Sequence, residues 1–482
     1  MKKSLVTLAL AAVPALVLSA CNGGGSGTSA VAPLPNAPQL ANHGRAHPND
    51  NGTQDLHAGG ADFPGYAYNL DSQPVGLYSQ PQSPPAGGSL FYAVPTKGTI
   101  YYCITGSTYG RAEFIQNNGT ATTACAALGQ AATGFGGRQD PLDFVASSVG
   151  LKSSEYTTYK SNRESGSVQW GEPFEFPQIG GPIVIPFRPS DFAVSQIKLS
   201  TWTYCAIANG TVSDWNDGAI TADNGGTSVT GGVSQTIKFF FRGDGGGTTY
   251  AFENHLNTVC NVSFKSPYSK PPYGGNGRSA AWAFGVGTTW AGPGSSGDPD
   301  PNFVGEQGDP GIVNAVQTTA FGTGYVTGAY VRAGTSPRLA QALLQNGTNR
   351  TGAAVFTDPT NKKQVVAALK RVTARAITYG EGSDGQPLGT SAPWCVLYVD
   401  PKNFVNPPKG AYPIVTISYL LFYGQNNGVH TADKKTLVKW LQGKAANTVT
   451  NRLEYAPMSS GIETAVLAAL NGNGGSEPAC LR

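Results

Sequence analysis

Charge is scarce in this chain. Asp, Glu, Lys and Arg make up 13% of its 482 residues, about half the share usual for a globular protein. The formal net charge is +3, and the basic residues form no runs. A nucleic-acid surface is therefore not expected. Histidine is limited to five positions, and three of them (His43, His47, His57) fall in a Gly- and Pro-rich region. No Cys-x-x-Cys pair occurs, so neither a structural zinc site nor a cofactor is expected. A Gly-x-Ser-x-Gly elbow is also missing, and acidic pairs such as Asp298-Pro299-Asp300 read as turns, so the chain is not expected to be an enzyme. After the N-terminal stretch no apolar run reaches the length of about 18 residues that a membrane-spanning helix needs.

Apolar residues make up 40% of the chain, with 64 glycines and 34 prolines. That is enough for a packed core with many turns, and the length predicts more than one folded unit. Residues 1–21 carry Lys2 and Lys3, a short apolar run, and Leu18-Ser19-Ala20-Cys21. This is the pattern of a bacterial lipoprotein signal, with Cys21 lipidated and the protein held at the cell envelope, periplasmic or on the surface. Residues 22–94 are rich in Gly, Pro, Asn and Ser and are expected to be a flexible arm, with Phe63, Tyr66 and Tyr68 able to pack on the body. Six cysteines follow Cys21, and an even number in an exported chain argues for disulfides.

From about residue 95 the pattern alternates. Strand patterns fall at Ile100–Tyr102, Asp143–Ala146, Gly181–Pro186, Ile237–Phe241, Thr323–Val326 and Ile414–Leu421. Helical spacing is seen at Thr248–Val259, Gln364–Ala376, Lys434–Lys444 and Ser460–Leu470. Alternation of this kind predicts α/β sheets covered by helices.

One stretch carries chemistry. Phe239-Phe240-Phe241 runs into Arg242-Gly243-Asp244-Gly245-Gly246-Gly247 and then Thr248-Thr249. A strand, a glycine turn and a helix start leave backbone N–H groups without intrahelical partners, and the helix dipole favours an anion there. The glycines would permit backbone conformations closed to other residues. Arg242 can bind an oxyanion through two parallel hydrogen bonds, with Asp244 fixing its direction. No lysine precedes the hydroxyl residues, which argues against a P-loop. Arg242-Gly243-Asp244 is also the adhesion tripeptide, a match too short to carry weight. A plain strand-to-helix corner remains the structural alternative.

The same stretch resembles the signature Arg-Ser-Asp-Gly-Ser-Gly-Thr-Thr of the periplasmic phosphate-binding proteins that serve phosphate ABC transporters. Further segments resemble that family in order: Thr105-Gly106-Ser107-Thr108-Tyr109, Gly134-Phe135-Gly136-Gly137-Arg138, Asp143-Phe144-Val145-Ala146-Ser147-Ser148, Ile179–Pro186, Ser213–Asp217, Gly322–Val326 and Leu453–Pro457. Within that family the chain resembles the branch called DING proteins. The resemblance implies a two-lobe periplasmic-binding-protein fold (type II-like). Each lobe would be a mixed sheet flanked by helices, with a ligand cleft at the hinge. Lobe 1 would comprise about 95–183 plus about 410–482, and lobe 2 about 187–400. It implies binding of inorganic phosphate or a similar oxyanion by Thr108, Tyr109, Gly137, Arg138, Ser147, Ser148, Arg242, Gly246, Gly247 and Thr248. It also implies a monomer, work with an ABC permease in uptake or else scavenging, and a Cys205–Cys260 disulfide. Cys103–Cys125 and Cys395–Cys480 would be the remaining pairs.

Departures from the family pattern narrow this. Ser148 stands where the family has an aspartate that accepts the proton of hydrogen phosphate, so the main reason to prefer phosphate over sulfate is lost. Gly137 and Gly246 replace serines, removing two hydroxyl donors. Arg138 replaces another serine and would either add charge to the cleft or face solvent. The alternative reading is a secreted phosphatase-like or surface interaction protein on the same fold with a degenerate anion site.

Overall fold

The computed structural model describes residues 55–70, 85–116, 143–165, 170–260, 280–332, 338–425 and 430–482. The signal and Cys21, Cys125, Gly137 and Arg138 lie outside the described residues. Among the described residues no helix is long and apolar enough to cross a membrane.

Among the described residues the larger sheet has seven strands. In spatial order these are Val326–Thr327, Pro173–Val184, Val415–Tyr423, Phe144–Ser147, Leu56–Gly60 and Ile100–Ile104, with Ala456–Pro457 also on the long strand. Leu56–Gly60 runs parallel to both of its neighbours, while Val415–Tyr423 is antiparallel to Phe144–Ser147 and to Pro173–Val184. Every residue of the two long strands is buried. Apolar residues accordingly fill both faces of Val415–Tyr423 at Tyr419-Leu420-Leu421-Phe422-Tyr423, while Glu175 and Gln178 are buried polar residues of Pro173–Val184. The second sheet centres on Lys238–Arg242, parallel to Phe303–Glu306 and Gly322–Gly324.

The arm expected over residues 22–94 is corrected where the structure describes it. Leu56–Gly60 is an inner strand of the larger sheet, followed by the helix Asp62–Asn69, and Leu90–Ala93 forms a further helical turn. Phe63, Tyr66 and Tyr68 are all buried, and the Tyr68 ring stacks on Phe91 at 4.2 Å. Leu-His-Ala-Gly-Gly has no β-branched residue and lies between two strands, so it shows neither strand propensity nor alternation. A second correction concerns the expected lobe 2. Residues 377–399 pack on the larger sheet: Val396 bridges Glu175, and the Tyr419 hydroxyl donates to Val399 O at 2.9 Å.

Thr248–Val259 and Ser460–Leu470 match the structure closely, the former starting one residue earlier. Ile462, Val466, Ala469 and Leu470 put one apolar stripe of the latter into the core. The pattern at Gln364–Ala376 yields a helix only over Lys362–Ala368, because Val372 turns into the core and the β-branched Val372-Thr373 pair favours extended backbone. Lys434–Lys444 spans the end of one helix, Thr431–Leu441, and the start of another, Lys444–Arg452, split at Gly443.

Two disulfides are formed as expected, Cys205–Cys260 and Cys395–Cys480. The first ties the helix Thr201–Ala208 to the end of Gly247–Val259. Cys103 is disulfide-bonded, and Cys125, the partner expected for it, is outside the described residues.

One buried carboxylate sets a pH dependence. Glu175, on the long strand, accepts the Leu151 N–H at 3.0 Å, and burial pushes its carboxyl up to about 8 against the pull of that bond and of Arg111. The folded state therefore holds a proton that the unfolded chain releases above its ordinary value of 4.5. The resulting stability is present below that value and is lost as pH rises through about 8. Glu175→Gln is expected to match the parent at pH 5 and to melt higher at pH 9. Melting curves across that range check this, and parallel profiles for the two proteins would count against it.

Candidate oxyanion site

The site forms where strands end and helices begin. In the smaller sheet Lys238–Arg242 ends at Arg242, and the turn leads into the helix Gly247–Val259. Beside it Phe303–Glu306 leads into the helix Gly308–Thr318. From the larger sheet come Gly60 with the helix Asp62–Asn69, Ile104 with the helix Ser107–Gln116, and Ser147 with Ser148. Gly60 has φ +121°, and a β-carbon there would lie 2.1 Å from Ala146 O. Only glycine fits this corner. Its carbonyl accepts the N–H groups of Thr105 and Gly106 at 2.9 and 2.8 Å, which holds the first-lobe loops together.

The glycines of the central turn serve a purpose different from the one expected. Gly243, Gly245, Gly246 and Gly247 all lie outside the left-handed region. What three of them permit is close approach. A β-carbon on Gly245 would lie 2.6 Å from Thr108 Oγ1, and one on Gly247 would lie 2.4 Å from Ser107 Oγ and 2.5 Å from Ser148 Cβ. One on Gly246 would sit 2.8 Å from Arg242 Cζ, so the side chain missing there makes room for the guanidinium. The Thr108 N–H donates to Gly245 O across the lobes at 3.4 Å.

Arg242 is fully buried and faces three carboxylates. Its Nε donates to Asp244 Oδ1 at 2.6 Å and its Nη2 to Asp244 Oδ2. Nη1 donates to Asp309 Oδ1 at 2.9 Å, and Nη2 to Asp62 Oδ2 at 2.9 Å. Asp244 also accepts the Gly308 N–H, and Asp309 accepts the Thr248 hydroxyl and both donors of Thr327. Asp62 Oδ1 accepts only the Asp309 N–H, at 3.3 Å, among the described residues. Burial pushes the Asp62 carboxyl up to about 7; the charge of Arg242 opposes this, and Asp244 and Asp309 add to it. Burial opposes the charge on Arg242, but the carboxylates of Asp244 and Asp62 outweigh it and hold the guanidinium well above its ordinary value.

The expected site residues therefore divide. Thr108, Ser148, Arg242, Gly246, Gly247 and Thr248 come together. Ser147 is nearby, but its hydroxyl is spent: it accepts Arg111 Nη1 at 3.0 Å and the Val149 N–H, and donates to Val149 O. The Thr248 hydroxyl goes to Asp309. Tyr109 is partly exposed, and burial first and the Asp244 charge second raise its hydroxyl. Two hydroxyls find no hydrogen-bond partner among the described residues, Thr108 Oγ1 and Ser148 Oγ, although both atoms are buried. They border the turn from which Gly247, Thr248 and Thr249 present N–H groups ahead of the first intrahelical bond, Tyr250 N to Gly246 O. Unpaired hydroxyls beside a helix N-terminus make a set of donors for an anion.

Asp62, Arg111 and Asp309 escaped the sequence reading. Arg111 is buried, pairs with Glu155, and donates to Ser107 O and Ser147 Oγ, which fixes the two serine loops. The signal for the aspartates was present. Gly59-Gly60-Ala61-Asp62-Phe63-Pro64 and Gly308-Asp309-Pro310 each place proline in the first turn of a helix after glycine. His255, in contrast, is a core residue: Nε2 meets the Tyr204 hydroxyl at 3.0 Å and Nδ1 meets Val405 O at 2.8 Å, and burial lowers its imidazole to about 4. Among the described residues no His, Cys, Asp and Glu grouping is suited to a metal ion.

Residues 105–443 match the family model described as a PBP superfamily domain. The chain is 26% identical over 324 residues to the phosphate-binding protein PstS 3 of Mycobacterium leprae, which covers 67% of this chain and 64% of the relative. It is 27% identical over 278 residues to the phosphate-binding protein PstS 2 of Mycobacterium tuberculosis, covering 58% and 59%. The chain thus spans about three-fifths of the length of these curated relatives. A solved phosphate-binding protein from Stenotrophomonas maltophilia superposes with TM-score 0.58 at 19% identity, covering 86% of this chain and 94% of that one. A high-affinity periplasmic phosphate-binding protein (PfluDING) solved with phosphate gives 0.57 at 20%, with the same coverage. These superpositions show the two-lobe α/β fold.

Proposed function

The chain belongs to the PBP superfamily, and from that premise we propose that it is a non-catalytic binding protein that closes two lobes over an oxyanion, phosphate being the first candidate. The observation that carries this is the pair of buried, unpartnered hydroxyls. Thr108 Oγ1 and Ser148 Oγ come from one lobe and border the N-terminus of Gly247–Val259 in the other. The named relatives are phosphate-binding proteins, which supports the ligand class. Lipid attachment through Cys21, an envelope location, delivery to an ABC permease or scavenging, and a monomeric state complete the proposal.

Ser148→Ala provides the test, read by calorimetric titration with phosphate, sulfate and arsenate. Removing an unpaired buried hydroxyl relieves a desolvation cost of about 1–3 kcal/mol. The variant is therefore expected to be as stable as the parent or more so. Its oxyanion affinity is expected to fall roughly tenfold or more, since a hydrogen bond to a charged ligand contributes about 1.5–3 kcal/mol. Equal affinity in both proteins would sink the assignment of this site. A parent that binds none of the three anions at millimolar concentration would sink the function.

A second reading rests on an observation of its own. Three carboxylates already surround Arg242, as in a degenerate anion site on a protein that acts on a phosphate ester or binds a surface partner. The same titration separates the two readings.

A further inference from the structure

We propose that the Asp62 carboxylate is a built-in competitor for the oxyanion, holding an edge of Arg242 and tying the lobes together until it is displaced or neutralised. This rests on the oxyanion-binding function proposed above. Asp62 opens a helix that follows an inner strand of the larger sheet, whereas Arg242 and Asp309 belong to the smaller sheet and its helix. Its two oxygens meet Arg242 Nη2 at 2.9 Å and the Asp309 N–H at 3.3 Å. Those are the types of donor an oxyanion would use. Asp244 is fixed by further hydrogen bonds within the smaller lobe, and Asp309 accepts from Thr248 there and from Thr327 on the edge strand of the larger sheet. Asp62 is the carboxylate of the three that reaches across from the other lobe, and it has the fewest bonds.

Charge has the same consequence. One guanidinium faces three acids, so with all of them ionised an arriving anion enters a negative neighbourhood. Neutralising Asp62 removes one of the two carboxylate charges on the Arg242 Nη2 edge, the one brought there from the larger sheet. The groups facing Asp62 are Arg242, Asp244 and Asp309. The Tyr330 hydroxyl is on its own carbonyl, the Tyr102 hydroxyl on the Ala61 carbonyl and the Tyr455 hydroxyl on that of Phe63. Burial raises the hydroxyls of Tyr455 and of nearby Tyr66 above their ordinary value. Burial lifts Asp62 to about 7, so it is charged and competing at pH 8.5 and mostly neutral at pH 5.5.

Sulfate is the cleaner probe, because it has no titration of its own between those pH values. Titration calorimetry of the full chain with sulfate and with phosphate, at pH 5.5, 7 and 8.5, tests the inference. Sulfate affinity of the parent is expected to rise roughly tenfold or more from pH 8.5 to 5.5, through linkage to one proton. Asp62→Asn is expected to bind sulfate more tightly than the parent at pH 8.5 and to lose most of the pH dependence. Asp62→Ser serves as a second variant if the first folds poorly, and the parent's own pH profile needs no variant. Flat sulfate binding in the parent, or a variant that binds no tighter at pH 8.5, overturns the role of Asp62 and leaves the oxyanion function standing. Absence of phosphate and sulfate binding in every protein at every pH overturns the function itself.

Discussion

Arg242→Met is expected to destabilise the folded protein by about 3–5 kcal/mol at neutral pH, the usual cost of removing one partner from a buried ion cluster. Arg242 is the cation among Asp62, Asp244 and Asp309, all of them nearly inaccessible to solvent. Without it, three buried carboxylates repel one another in a medium that solvates them poorly. Their protonated forms are then favoured, so the loss should be smaller at pH 5 than at pH 8. Urea unfolding at both pH values measures this. A variant as stable as the parent at pH 8 would mean that the acids are already neutral and that the cluster is not an ion cluster. One consequence is that loss of anion binding in an Arg242 variant would not by itself identify a ligand contact. Ser148→Ala is the better probe, because that hydroxyl has no hydrogen-bond partner among the described residues.

Breaking the Cys205–Cys260 bridge by a double alanine substitution is expected to cost about 4 kcal/mol, from the loop-closure entropy of its sequence separation of 55. Both cysteines are buried, so the alanines also leave small cavities, which adds to the cost. The bridge anchors the far end of the helix whose N-terminus borders the unpaired hydroxyls. Oxyanion affinity should therefore fall along with stability, whereas breaking Cys395–Cys480, which lies outside that helix, should lower stability with a smaller effect on affinity. Chemical unfolding and titration of the two double variants decide this. Equal losses of affinity from both would remove the link between the helix anchor and the site.

Much of this was legible from local chemistry. Phe239–Arg242, the glycines and Thr248-Thr249 read as strand, turn and helix because three signals coincide: an apolar run, flexible residues, then helical spacing at Phe252 and Leu256. The buried runs at Ile414–Leu421 and Gly181–Pro186 were recognisable as core strands without alternation. Leu56–Gly60 was not, because five small or weakly strand-forming residues acquire their conformation from the neighbours on either side. The helix predicted over Lys434–Lys444 was also misjudged, since a glycine between two periodic segments does not disclose which way the chain turns.

The sequence by itself determined the α/β class, the strand-to-helix turn at Arg242 and the presence of hydroxyls at Thr108 and Ser148, since each depends on residues a few positions apart. Only the tertiary structure decided what the turn faces. Asp62 lies 180 residues from Arg242 and Asp309 lies 67 residues from it, and local pattern carries no information over such separations. Their convergence comes from strand order, which brings the ends of two sheets together. That convergence turned an arginine expected to be held by Asp244 alone into the centre of an ion cluster. It also showed that the side chain missing at Gly246 leaves room for the guanidinium.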